Sequence, residues 1–188
     1  MPTARESLLQ AAEAALAARP WPAVRMVEVA AAAGVSRQTL YNEFGGKAGL
    51  GRALVRRAAD WYLDGVERAL AAPAARTAAE RLAAVAEWTV RAARARSLVR
   101  ALLTGSWGPA LPAPPPPGSR QAIGPGELTR AVRDRAAAAL PYEPVRRCEL
   151  AVRLALSYVV APGEDPGREP AAELLRLLSA PSRTAGGR

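Results

Sequence analysis

Residues 27–50 read VEVAAAAGVSRQTLYNEFGGKAGL. The run begins as an alanine-rich helix, with Val27, Val29, Ala30 and Ala33 on an apolar face. It breaks at Gly34, restarts at Ser36 and breaks again at Gly45-Gly46. Gly34 stands where a helix C-terminus favours a residue tolerant of left-handed geometry. Val35 can fill the angle that follows, and Ser36 is a good N-cap for the next helix. That helix is left about seven to nine residues long, too short to be stable alone. Leu40 and Phe44 lie four apart and point inward, so Arg37, Gln38, Thr39, Tyr41 and Asn42 point outward or flank that face. Two short helices joined by a tight glycine-containing turn, the second presenting polar groups, form the helix-turn-helix pattern.

A groove in duplex DNA sets such a length. Gln can pair bidentately with adenine and Arg with guanine, and Thr can touch a thymine methyl. Tyr41 and Lys47 suit phosphate contacts, which fix register without reading sequence. Lys47 also opens a helix, where the backbone amides favour an anion. A lysine placed there points to a phosphate opposite it, so the partner this stretch predicts is double-stranded DNA.

The bulk properties permit this reading without deciding it. The 188 residues make one large domain or two small ones, and half of them are apolar. No uncharged apolar run is long enough to span a membrane. The N-terminus lacks the basic-then-apolar layout of a signal peptide. The lone Cys148 excludes an intramolecular disulfide, and a cytoplasmic location is the simplest expectation. The net charge of +9 comes from 25 arginines and one lysine against 17 acids. It suits a polyanion partner, but an Ala, Arg, Gly and Pro bias is also what a GC-rich genome writes. Residues 1–60 carry only +3 of it.

The rest of the chain reads as helix. Thr3 to Glu6 fits a capping box, followed by Leu8, Ala12, Ala15 and Leu16 at helical spacing up to Pro20-Trp21-Pro22. A long helix is predicted from Lys47 to Ala71, with Leu50, Leu54, Ala58, Trp61, Val66 and Leu70 as its stripe. A second is predicted from Ala78 to Leu103, with Leu82, Val85, Trp88, Ala92, Leu98 and Leu102. Residues 104–126 are proline-rich and read as an insertion or mobile loop. Helices are expected again over Glu127–Leu140, Glu143–Ala161 and about Pro170–Ala180, then a frayed tail. No run alternates as a strand would, so the fold class is all-α.

Residues 5–55 resemble the DNA-binding domain of the tetracycline-repressor-like (TetR) family of bacterial regulators. The resemblance is carried by Val29-Ala30-Ala31-Ala32-Ala33-Gly34-Val35-Ser36, then Thr39-Leu40-Tyr41, then Phe44, Lys47 and Leu50. Two positions depart from the family pattern: Arg25 replaces the Thr or Ser that caps the first helix of the motif, and Gly46 replaces the usual cap before the lysine. The resemblance implies an N-terminal three-helix DNA-binding domain over residues 1–46, whose contacting set is Ser36, Arg37, Gln38, Thr39, Tyr41, Asn42 and Lys47, with Arg25 able to reach a phosphate itself. It also implies a helical ligand-binding and dimerisation domain over 47–188, and repression rather than activation.

In the C-terminal half Val145, Cys148, Val152, Ala155 and Val159 recur at spacings of three and four, a seam for another helix, and Leu174, Leu175 and Leu178 give the last helix a matching face. In the family such helices pair with their copies, so a homodimer is expected, the other reading being that these stripes face the monomer's own core. An effector pocket is expected between the helices of residues 78–140, near Trp88, Leu98, Leu102 and Trp107. Few groups there specify a polar compound, which favours an apolar effector. Arg91, Arg94, Arg96 and Arg100 either meet an acidic head or form a solvated face.

No enzyme is expected. The chain has no histidine, which removes the commonest general base and metal ligand. Glu164-Asp165 reads as a turn. Gly45-Gly46-Lys47 resembles a phosphate-binding loop, but Tyr41 stands where its first glycine belongs and Ala48 where Ser or Thr is required. Neither cofactor nor metal is implied. The rival is a non-specific helical DNA-binding or protein-interaction module without ligand regulation, separable by binding to scrambled DNA at about 150 mM salt.

Overall fold

The structure, a computed structural model, describes residues 2–75, 77–114, 123–161 and 170–179, without the side chains of 170, 171, 174, 178 and 179. Residues 115–122 of the proline-rich segment, Glu164-Asp165 and the tail lie outside this set. The described residues are all-helical: α1 (Ala4–Ala18), a single-turn 3-10 helix (Trp21–Ala23), α2 (Met26–Ala32), α3 (Arg37–Phe44), α4 (Lys47–Leu70), α5 (Ala78–Ala95), α6 (Ser97–Thr104), α7 (Pro125–Ala139), α8 (Val145–Val160) and α9 (Pro170–Ser179). No described helix is long and apolar enough to cross a membrane. The chain divides into two compact units, Met1–Trp61 with Ser97–Pro125, and Tyr62–Arg96 with Gly126–Arg188.

In the first unit the ends of the helices are set by local chemistry. The Thr3 hydroxyl accepts from the Glu6 amide while the Glu6 carboxylate accepts from the Thr3 amide, the reciprocal capping box. The Glu6 carboxylate accepts from the Thr3 amide at 2.8 Å and also from the Thr3 hydroxyl at 3.2 Å, and these two bonds hold its carboxyl below its usual range, the backbone bond contributing most. Leu8, Leu9 and Ala12 bury the inner face of α1, which packs on α2 and α3, and Val24, Val29, Ala30, Leu40, Phe44, Leu50 and Leu54 are buried in the same unit. Fully burying each leucine is worth about 1.5–3 kcal/mol, which offsets the instability of an isolated two-turn helix. Val27, expected on the apolar face of α2, is 48% exposed, because the buried face is narrowed to Val29 and Ala30. The ion pairs Arg19–Glu28 and Arg57–Glu13 tie α1 to α2 and α4.

In the second unit α8 and α9 pack on α5. A buried polar pair joins α4 to α5: the Tyr62 hydroxyl lies 2.9 Å from Thr89 Oγ1, which itself donates to the Val85 carbonyl at 2.8 Å. With the threonine proton so used, Tyr62 is the donor in the pair. Burial pushes the Tyr62 hydroxyl up to about 12, partly countered by the bond to Thr89. Trp88 Nε1 donates to the Tyr62 carbonyl at 3.0 Å, and its indole lies so close to Gly65 that a Cβ there would sit 2.1 Å from the ring. Only glycine permits that approach.

Two expectations about the long helices are corrected. Tyr62, not Trp61, takes the deepest position of this turn of α4: Tyr62 is fully buried and Trp61 half-buried. The helix predicted over Ala78–Leu103 is two helices. Arg96 leaves helical geometry at φ −135° and ψ 115°, capping α5 through a bond to the Ala92 carbonyl, and α6 starts at Ser97. No glycine or proline marks this break; it falls where the chain passes from the second compact unit back to the first.

Candidate nucleic-acid interface

The turn between α2 and α3 is built entirely from local bonds. Gly34 adopts φ 68°, its amide donates to the Ala31 carbonyl and the Val35 amide to the Ala30 carbonyl. This is the paired closure of a Schellman motif, in which the left-handed residue is nearly always glycine. Ser36 then caps α3: its hydroxyl accepts from the Thr39 amide at 3.0 Å and bonds the Thr39 hydroxyl at 2.8 Å. At the other end Gly45, at φ 68°, donates to the Tyr41 carbonyl. Leu40 and Phe44 are buried, and Arg5 lies over the Phe44 ring at 4.7 Å while also donating to the Glu43 carbonyl.

The face left outside carries Arg37, Gln38, Tyr41 and Asn42, all exposed, with Thr39 half-buried beside them. Gln38 Nε2 donates to Asn42 Oδ1 at 2.9 Å. The pair therefore leaves the Gln38 oxygen as an acceptor and the Asn42 amide as a donor, both on the exposed face. Thr39, expected to point outward or flank that face, has its hydroxyl bonded to that of Ser36 at 2.8 Å. Arg25 holds the N-cap position of α2 without a side-chain cap bond. Arg25 and Arg37 are exposed and have no ion-pair partner among the described residues, in contrast to Arg5, Arg19 and Arg57.

Lys47 has an internal partner distant in the sequence. Its ammonium donates to the Pro22 carbonyl at 2.9 Å and lies 5.4 Å from the centre of the Trp21 ring. A lysine at this helix start therefore has an internal counterpart, and its position alone does not require a phosphate. Two of its three N–H donors are left by the bond to Pro22. From the sequence, Pro20-Trp21-Pro22 marks only the stop of α1; the contact of this turn with Lys47 spans 25 residues.

The remaining candidates separate. Trp88 belongs to the second unit, half-buried, with Arg68 and Arg91 over its ring at 5.9 and 5.5 Å. Leu98, Leu102 and Trp107 belong to the first, the leucines buried and Trp107 half-buried. Of the dimer set, Cys148, Val152, Ala155 and Val159 are buried inside the single chain, while Leu150 and Val160 of the same helix are exposed. Within the single chain these four side chains face the core. Val145 is half exposed, Leu175 half-buried, and the side chains of Leu174 and Leu178 lie outside the described residues. Burial raises the Cys148 thiol, with Glu143 adding to the effect, which disfavours the thiolate. A groove of about 510 Å³ runs between α1 and α2, past Gln10, Ala14, Arg19 and Glu28.

A short capped helix with an exposed polar face, joined to α2 by a glycine turn, defines the helix-turn-helix class. Residues 8–54 match the family described as bacterial regulatory proteins, tetR family. The chain is 35% identical over 177 residues to the HTH-type transcriptional regulator AlkX of Mycobacterium tuberculosis, covering 93% of this chain and 83% of that one. Its fold resembles that of the TetR family repressor AlkX from a Dietzia species, implicated in biodegradation of n-alkanes, with a TM-score of 0.53 and 22% identity over 93% of this chain and 92% of that one. It also resembles the regulator FadR of Bacillus subtilis in complex with stearoyl-CoA, at a TM-score of 0.53 and 17% identity, over 93% and 97% of the two chains. The chain belongs to the tetR family of bacterial regulatory proteins: it is a DNA-binding transcriptional regulator and not an enzyme.

Proposed function

We propose that the protein is a one-component, cytoplasmic repressor that binds a near-palindromic operator as a homodimer and releases it when a small molecule binds. Residues 1–46 are the DNA-reading domain and 47–188 the effector-binding and dimerising one. Two copies of α3 enter successive major grooves roughly 34–36 Å apart. The observation that carries this is the polarity of α3: Leu40 and Phe44 are buried while Arg37, Gln38 and Asn42 are exposed. Gln38 and Asn42 read bases as a joined acceptor and donor, which matches the N6 donor and N7 acceptor of adenine. Arg25, Ser36, Tyr41 and Lys47 hold phosphates, and Arg37 and Thr39 flank the contact.

The dimer face is the outward side of α8, with Leu150 and Val160, continued by Leu177 of α9; these are 51%, 66% and 56% exposed. The effector class is apolar with a long chain. The names of the relatives support this, one implicated in n-alkane degradation and another holding stearoyl-CoA.

Selection of bound DNA from a random pool tests the reading. The expected result is a two-fold symmetric site with half-sites one helical turn apart. Equal recovery of all sequences at about 150 mM salt would instead establish the non-specific module.

A further inference from the structure

The first half of the proline-rich segment is attached to the DNA-reading head. α6 ends at Thr104, and the chain turns at Gly105 (φ 74°) and again where the Leu111 amide donates to the Gly108 carbonyl. Between these turns and residue 112 it makes two contacts on the 3-10 turn and α4. The Ala110 carbonyl accepts from the Trp21 amide at 2.8 Å. Pro112 is buried, and a Cβ added at Gly51 would lie 3.0 Å from Pro112 Cβ and 3.2 Å from Trp21 Cζ2. Pro112 and Trp21 thus close together on Gly51, one helical turn beyond Lys47.

The same Trp21 ring lies beside the Lys47 ammonium, which is bonded to the carbonyl of the next residue, Pro22. A lysine side chain carries considerable rotamer freedom, which a phosphate contact must otherwise immobilise. Here the freedom is already restricted by the turn, and the turn is held by residues 110 and 112. We infer that residues 105–112 form a strap whose Ala110 carbonyl and Pro112 ring fix Trp21 and Pro22, and thereby hold Lys47 ready for a DNA phosphate. Pro112 and Trp21 are then positioning residues for that contact. The inference rests on the reading of Lys47 as a phosphate contact.

The test measures binding of the full-length protein to a mixed-sequence DNA duplex across a salt series, for wild type, Pro112→Ala, Lys47→Ala and the double variant. Lys47→Ala alone reports on the underlying reading: it should make the salt slope shallower by about one, and an unchanged slope removes the phosphate role itself. Pro112→Ala reports on the strap. It should weaken binding between about three- and thirtyfold, the range set by freeing part or all of a lysine's rotamers. In the Lys47→Ala background it should weaken binding no further. Equal losses in both backgrounds, or none in either, overturn the strap as a positioning device. Gly51→Ala is the second variant: it crowds Pro112 and Trp21 from the helix side while improving the helix propensity of α4. It must reproduce the background-dependent loss, and it decides the matter if Pro112→Ala does not fold.

Discussion

Gln38 and Asn42 are hydrogen-bonded to each other on the open face of α3, amide nitrogen to amide oxygen at 2.9 Å. A side chain held by its neighbour one turn on presents its remaining polar groups in a fixed direction. On the proposed reading the two residues act on DNA as one unit, so neither should act alone. On the preferred operator, Gln38→Ala and Asn42→Ala should each cost about 1–3 kcal/mol and relax preference at the same base pair. The double variant should lose less than the sum of the two. Additive losses measured by fluorescence anisotropy would separate them.

The second prediction concerns α8, which has apolar residues on two sides. Leu150→Glu and Val160→Glu together should yield a folded monomer by light scattering at micromolar concentration, because Leu150 and Val160 are exposed in the single chain. Val152→Glu should instead unfold the unit, since Val152 is 3% exposed and a buried unpaired carboxylate is strongly unfavourable. A dimer that survives the first substitution pair would move the interface elsewhere.

Tyr62 gives an alkaline limit to stability. Its folded hydroxyl ionises only at about 12, whereas an unfolded tyrosine ionises near 10. The unfolded state therefore loses its proton first, and stability present below pH 10 declines as pH rises toward 12, by an amount on the order of 2–3 kcal/mol. Tyr62→Phe should cost about 1 kcal/mol at pH 7 and flatten that decline. Denaturant unfolding at pH 8 and pH 11 measures both.

Gly65 and Trp88 form a close contact that tolerates no side chain at 65. Gly65→Ala should destabilise the protein by about 1–3 kcal/mol despite better helix propensity, because the indole must leave its bond to the Tyr62 carbonyl. Trp88→Leu should recover part of that loss in the double variant. If Gly65→Ala raises the thermal midpoint, the indole packs elsewhere in solution.

What could be read from the sequence was what neighbours along the chain decide. Thr3 and Glu6, Gly34, Ser36 and the Leu40–Phe44 pair act within one or two helical turns, and each stands in the structure as the spacing implied. The missed features depend on distant residues. Lys47 bonds a carbonyl 25 positions away, Trp88 a carbonyl 26 away, and Trp21 meets Ala110. The break at Arg96 has no local signal at all, since Arg-Ala-Arg-Ser suits a continuous helix. The stripe at Cys148, Val152, Ala155 and Val159 was legible as apolar, but periodicity does not say whether a helix faces its own chain or a copy. Only the burial pattern separates its inner side from Leu150 and Val160.

Both termini of α3 are closed before DNA arrives, by Ser36 at one end and Gly45 at the other. Docking of this helix therefore orders almost no backbone there. Its calorimetric signature should be that of a rigid body: a heat-capacity change accounted for by the surface removed from water, without the larger excess that accompanies coupled folding.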